Sequence, residues 1–91
     1  MYPKRIHFIS YWVYMQDAEE QEKYERLIDH LCEVRGDQGL SLRDLAKKLG
    51  RSHAYVQKIE NKTRQLNMIG FVAYCHALEV DPVEVFKLLV E

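Results

Sequence analysis

A basic segment between positions 43 and 64 is the part of this 91-residue sequence whose residue types most clearly indicate chemistry. It holds seven Lys or Arg residues against two acidic ones, a net charge of +5, while the whole chain carries −1, which leaves −6 elsewhere. Cations gathered in one segment of an acidic chain are what a local phosphate-binding surface needs. A solvated charged face is the plainer alternative over a few residues. The segregation favours contact with nucleic acid.

Two short helices joined by a tight turn are predicted to hold these cations. Ser41 and Ser52 are residue types that cap helix starts, and Gly50 can adopt the left-handed backbone that ends a helix. Ala46 is small where the two helices would cross, and Val56 would anchor the second helix against the first. The combination is typical of a helix-turn-helix unit that presents the outer face of its second helix, although a generic helical hairpin is the alternative.

The second helix of this unit, over residues 52–61, carries side chains suited to reading base edges. Gln57 can make two hydrogen bonds to adenine, and Lys58 suits guanine acceptors or a phosphate. His53 can donate to guanine, and Ala54 can contact a thymine methyl group. Tyr55 would either donate its hydroxyl to a phosphate or support the preceding helix as a partly buried aromatic. The residues expected to contact phosphates are Arg43, Arg51, Ser52, Tyr55, Asn61, Lys62 and Arg64.

Three further helices are predicted around the unit, so that residues 17–91 form one all-α domain. Helical periodicity begins at Asp17 and stops near Gly36, and Asn67 caps a fourth helix. Asp81 followed by Pro82 starts a fifth helix that runs to about residue 90. The fourth helix is expected to direct a set of apolar residues into the core: Met68, Phe71, Val72, Cys75 and Leu78.

The first sixteen residues differ from the rest because they are rich in aromatic residues and favour an extended, possibly β, arm. Apolar residues occur on both alternating faces, so a strand here would need cover on two sides. An arm that pairs with a second copy of the chain satisfies that need. The alternatives are an arm folded on its own domain, or sequence translated ahead of a true start at Met15.

The fifth helix is apolar on more than one side, so part of its surface should lie in a dimer interface unless core packing absorbs it. The residues assigned to that interface are Phe8 and Trp12 from the arm and Val85, Phe86 and Leu89 from the helix.

Enzymatic, metal-binding and membrane functions find no support in the residue pattern. There is no nucleophile motif, phosphate loop or pair of catalytic carboxylates, and no Cys or His cluster with metal-ligand spacing. No cofactor is therefore expected. No apolar run reaches 18 residues, and Cys32 and Cys75 are interpreted as reduced core residues, so a cytoplasmic protein without a membrane segment is expected.

From Leu27 to Leu89 the sequence resembles the phage repressor and Cro-like (Xre) helix-turn-helix family. The resemblance rests on Val34-Arg35, on Leu40-Ser41-x2-Asp44-Leu45-Ala46, on Ile59-Glu60-Asn61 and on Ala77-Leu78-x-Val80-Asp81-Pro82. It implies a five-helix repressor-like domain. It also implies that Arg35 and Glu60 form a structural ion pair between helix one and the end of helix three.

Two positions depart from the family pattern. Leu42 stands where the family often has a phosphate-contacting Gln, so that contact is not expected here. The Gly that often follows the recognition helix is missing, and Asn61 is expected to take the left-handed position instead.

The residues and the resemblance together predict a dimeric, sequence-specific transcriptional repressor. Its partner would be double-stranded DNA with a palindromic operator. An antitoxin that uses the same fold and also binds a toxin is one alternative, and a protein-interaction module that uses the fold only as a scaffold is the other.

Overall fold

Five helices make up this protein in the computed structural model, which describes the backbone of residues 6–91 and the side chains of residues 18–91. The helices are α1 (Ile6–Asp37), α2 (Leu42–Leu49), α3 (His53–Glu60), α4 (Met68–Ala77) and α5 (Pro82–Val90). No strand occurs within residues 6–91. The predicted all-α fold with five helices is confirmed.

Helix α1 begins well before Asp17, where the periodicity predicts its start. Neither Gly nor Pro interrupts the sequence between Ile6 and Arg35, and extending an existing helix is far easier than nucleating one. The arm expected over residues 1–16, with its contacts through Phe8 and Trp12, involves side chains that lie outside the described residues. Its role in dimer formation stays a prediction.

The hydrophobic core lies where the five helices meet. α1 packs against α5 and α3, α2 packs against α3 and α4, and α4 packs against α5. Every helix contributes at least one buried side chain. The buried residues are Leu27, Ile28 and Leu31 of α1, Leu45 and Ala46 of α2, Tyr55, Val56 and Ile59 of α3, Tyr74 and Cys75 of α4, the following Leu78, and Val85 of α5.

The first four helices end in the same hydrogen-bonded motif, with one residue in the left-handed conformation after each helix. Gly39 and Gly50 hold this position after α1 and α2, with φ of 71° and 67°. Lys62 and Glu79 hold it after α3 and α4, with φ of 66° and 59°. After α3, Thr63 N–H donates to Lys58 O at 3.0 Å, which closes the motif around Lys62.

The left-handed position expected at Asn61 is therefore wrong by one residue. Asn61 has φ −88° and ψ 4° and extends the last turn of α3. Its side-chain Oδ1 instead accepts from Thr63 N–H at 3.1 Å and from Thr63 Oγ1 at 2.6 Å. These hydrogen bonds of Asn61 stabilise the turn, and Lys62 adopts the left-handed backbone conformation.

Two apolar residues expected in the core lie at the surface of α4. Met68 is 80% exposed and Val72 is 41% exposed. Met68 is the first residue of α4. A helical side chain packs over the turn that precedes its own Cα, and no helical turn precedes Met68. The buried side of α4 is set by Tyr74 and Cys75.

Val85 was assigned to the dimer interface, but it is only 4% exposed and belongs to the core of its own chain. Phe86 is 43% exposed and Leu89 is partly buried against the core. The apolar residues of α5 thus lie on two faces of the helix, one buried in the core and one exposed to solvent. Of the three α5 residues assigned to an interface, Phe86 is the most accessible.

Two reciprocal hydrogen bonds between Ser41 and Asp44 cap the start of α2. Asp44 N–H donates to Ser41 Oγ, and Ser41 N–H donates to Asp44 Oδ2 at 2.9 Å. The backbone hydrogen bond from Ser41, reinforced by its side chain, lowers the pKa of the Asp44 carboxyl below its ordinary value. A lowered pKa stabilises the folded state above about pH 4, and that stabilisation is lost as the pH falls through the folded-state pKa.

We expect Asp44→Ala to destabilise the protein at pH 6 and to differ less from the wild type as the pH is lowered below 4. The measurement is urea denaturation from pH 6 to pH 3, with Glu33→Ala, an exposed acid on α1, as the control. A wild-type to Asp44→Ala difference that stays constant over this range would refute the role given to the carboxylate.

Candidate nucleic-acid interface

The unit formed by α2 and α3 is held as a rigid pair by its buried side chains. Leu45, Val56 and Ile59 are fully buried, and Ala46 is 3% exposed where α2 meets the rest of the core. Gly50 turns the chain between the helices with φ 67° and ψ 30°. Ser52 then caps α3, its Oγ accepting from Tyr55 N–H at 3.1 Å. This arrangement sets the direction of α3 and leaves its outer face uncovered.

Arg35 and Glu60, the residues expected to pair, are brought together by the fold. Arg35 Nε donates to Glu60 Oε2 at 2.6 Å, and a second guanidinium nitrogen donates to Glu60 Oε1 at 3.0 Å. The third nitrogen donates to Leu40 O at 2.7 Å. The two side chains are only 20% and 15% exposed. This forked ion pair joins the end of α1 to the end of α3 and so fixes the tilt of α3.

The outer face of α3 presents the side chains assigned to base reading. Ala54, Gln57 and Lys58 are exposed, and their spacing of three and four residues places them on one face of the helix. His53, in the first turn, is partly exposed. Four residue types with different hydrogen-bonding chemistry thus occupy a surface about two turns long.

Tyr55 lies under this face rather than on it. The residue is 8% exposed, which agrees with the supporting role, and the phosphate contact stays a prediction. The guanidinium carbon of Arg51 lies 3.8 Å from the centre of its ring, and that of Arg64 lies 4.8 Å away. Sequence reasoning missed this cluster. The only local signal was the spacing of four between Arg51 and Tyr55, since Arg64 approaches through the tertiary fold.

The cations of the basic segment separate into two groups. The first group forms ion pairs. Lys48 Nζ lies 3.9 Å from Glu79 Oε2, and Lys62 Nζ donates to Asp29 Oδ1 at 2.7 Å. That hydrogen bond raises the pKa of Lys62 above its ordinary value. Lys62 is therefore tied to α1, unlike the other residues assigned to phosphates.

The remaining cations are free of ion pairs within residues 18–91 and are all exposed to solvent. They lie on α2, on the turn, on α3 and on the segment that follows it: Arg43, Lys47, Arg51, Lys58 and Arg64. Exposed Ser52 and Asn61 flank α3 at its two ends. An uncompensated positive surface thus surrounds the outer face of α3.

Leu42 packs against the hydrophobic core as a partly buried residue. An apolar side chain held in this way makes no hydrogen bond to a phosphate. Leu42 therefore contributes to the packing of α2 against the core and does not add to the polar surface.

The described residues show no group of three or more potential metal ligands, and none of their helices is long and apolar enough to cross a membrane. Both cysteines are free thiols. Burial raises the pKa of Cys32 and of Cys75 to about 11, so both are protonated at neutral pH.

Comparisons with known proteins agree with this geometry. A family model described as Helix-turn-helix matches residues 33–85. The chain is similar to the solved structure of an XRE-family like protein from Pseudomonas syringae pv. tomato str. DC3000, with a TM-score of 0.78 and 32% identity over 84% of this chain and 93% of that one.

A second similar structure is the clp gene regulator ClgR from C. glutamicum, with a TM-score of 0.66 and 26% identity over 75% of this chain and 88% of that one. No curated protein matches the sequence.

Proposed function

This chain belongs to the Xre family of helix-turn-helix proteins, a family of DNA-binding transcriptional regulators, and on that premise we propose that it is a repressor that binds a palindromic operator as a homodimer. The observation that carries the proposal is the uncompensated positive surface around the exposed face of α3. Phosphates supply most of the affinity of such a surface, and base edges supply its specificity.

In the proposed complex α3 lies in the major groove with its N-terminal half against the base edges. Gln57 and Lys58 then face the groove floor, with His53 and Ala54 one turn nearer the helix start. Arg43, Arg51 and Arg64 border this face, where they can bind the phosphates on either side of the groove. Backbone N–H groups at the start of α3, next to Ser52, add donors for a phosphate.

The proposed homodimer uses the exposed part of α5. Phe86, Val83 and Val90 are 43%, 66% and 62% exposed, which leaves a continuous apolar strip on a short helix. The ring of Phe86 lies 6.5 Å from that of Phe71, so the strip is supported from below by α4. The proposed two-fold interface includes Phe86 and Leu89, with Phe8 and Trp12 from the N-terminal segment.

Gln57 gives the most specific test of base reading. We expect Gln57→Ala to bind the operator selected by the wild type more weakly by about 1 to 3 kcal/mol and to lose preference at a single base pair in each half-site. Its affinity for unrelated DNA should not change, because the amide carries no charge. The measurement is a competition assay with operators changed one base pair at a time.

Gln21→Ala is the matched control for this test. It removes the same amide from an exposed position on α1, where Gln21 Nε2 donates to Glu25 Oε2 at 3.2 Å. An unchanged sequence preference in Gln57→Ala, or an equal loss in Gln21→Ala, would exclude Gln57 from base reading.

A further inference from the structure

Tyr55 occupies an unusual place for an aromatic residue of a recognition helix, because two cations from outside the helix converge on its ring. Arg51 lies on the turn before α3 and Arg64 on the segment after it, yet their guanidinium carbons lie 3.8 Å and 4.8 Å from the ring centre. The ring is buried while both arginines are exposed. The ring of Tyr55 is therefore contacted by one cation from each end of α3.

The ring itself is held by its far end. A Cβ added at Gly70 of α4 would lie 3.1 Å from the Tyr55 hydroxyl and 3.1 Å from Leu66 Cδ1, so the absence of a side chain at Gly70 makes room for the tyrosine. The hydroxyl end thus packs towards α4, away from the outer face of α3. This position leaves the ring face available to the arginines.

The backbone that carries Arg64 is fixed on both sides. Arg64 N–H donates to Lys58 O at 3.2 Å, and Leu66 N–H donates to the Tyr24 hydroxyl at 3.0 Å. Arg51 N–H donates to Ala46 O at 3.0 Å. Both arginines therefore start from ordered backbone, and the ring restricts the rest of their long side chains.

We propose that Tyr55 is a positioning residue that holds Arg51 and Arg64 as a preformed pair of phosphate clamps at the two ends of α3. The proposal rests on the proposed DNA-binding function and deepens it. A guanidinium that stacks on a ring keeps the N–H groups on its edge free for a phosphate. Because the side chains are ordered before binding, less entropy is lost when the phosphates are bound.

The test compares two variants of Tyr55 by their affinity for DNA at several salt concentrations. Tyr55→Phe keeps the ring and removes the hydroxyl, and we expect it to bind like the wild type. Tyr55→Leu keeps an apolar side chain and removes the ring, and we expect affinity for specific and unrelated DNA alike to fall about tenfold, since two side chains lose their order. Melting temperatures establish that each variant is folded.

A double-mutant cycle separates positioning from general support of the fold. Arg51→Ala should weaken DNA binding by a much smaller factor in the Tyr55→Leu background than in the wild type, because the arginine there is already disordered. Equal factors in the two backgrounds would overturn the proposal. Loss of binding in Tyr55→Phe would also overturn it, because the hydroxyl would then be the phosphate ligand.

Proton NMR of the free protein tests the stack without DNA. The side-chain methylene protons of Arg51 and Arg64 should show upfield ring-current shifts in the wild type and in Tyr55→Phe. Their absence overturns the proposal even if Tyr55→Leu does not fold. If the shifts are present but the wild type binds no DNA at any salt concentration, the proposed DNA-binding function fails, and the role of the stacked arginines as phosphate clamps fails with it.

Discussion

Glu60→Ala is expected to lower the free energy of unfolding by about 2 kcal/mol, a value between that for breaking an exposed ion pair and that for breaking a fully buried one. The loss arises because the Arg35 guanidinium keeps its partly buried position but loses the carboxylate that it contacts at 2.6 Å and 3.0 Å. One hydrogen bond, to Leu40 O, remains. The charge is then poorly compensated at the point where α1 supports the end of α3.

Urea denaturation followed by circular dichroism measures this loss. The control is Glu22→Ala, which breaks the pair with Arg26 on α1, where both side chains are about two-thirds exposed. We expect that change to cost less than about 0.5 kcal/mol. A Glu60→Ala variant as stable as the control variant would show that the forked pair does not fix α3.

Removing three of the unpaired cations around α3 is expected to have the largest effect on DNA binding. The variant Arg51→Ala/Lys58→Ala/Arg64→Ala should bind DNA at least about 100-fold more weakly near 0.1 M salt. Each lost phosphate contact also makes the negative slope of log affinity against log salt shallower by about 0.9, or by about 1.8 for the contacts of Arg51 and Arg64. The free energy of unfolding should fall by no more than about 2 kcal/mol, since all three side chains are exposed and none forms an ion pair within the described residues, while the two contacts with the Tyr55 ring are worth about 0.5 to 1 kcal/mol each.

The matched control removes three cations from α1 and α5: Lys23→Ala/Arg26→Ala/Lys87→Ala. It changes the net charge by the same amount, so any effect of total charge on association is the same in both variants. Fluorescence anisotropy with a labelled duplex at two salt concentrations gives both affinity and slope. An equal loss in the two variants would show that DNA binding is not located on the α3 face.

The helices were predictable wherever local residues determine them. Ser41 and Ser52 accept the capping hydrogen bonds expected of them, Asn67 caps α4 at 2.7 Å from Gly70 N–H, and Gly50 has the expected left-handed backbone. These features depend on neighbours within four residues, which the sequence shows directly. The Arg35 and Glu60 contact spans 25 residues and was expected only from the family resemblance.

The features that were missed depend on tertiary packing. Val85 and Met68 have similar apolar character in the sequence, yet one is buried and the other exposed, because only the final arrangement decides which face of a short helix is covered. The pair formed by Lys62 and Asp29 spans 33 residues, and no periodicity marks it. The residue types of the candidate interface were therefore predictable, whereas their division into free, paired and stacked cations was not.

Selection from a random duplex pool tests most directly whether the outer faces of two α3 helices read a symmetric operator. Wild-type chain is used for repeated rounds of binding, and the enriched duplexes are sequenced. We predict a palindrome with half-sites about 10 base pairs apart from centre to centre, bound by a species that sediments as a dimer. A pool that stays unselected, with weak binding that disappears as salt rises, would contradict this prediction.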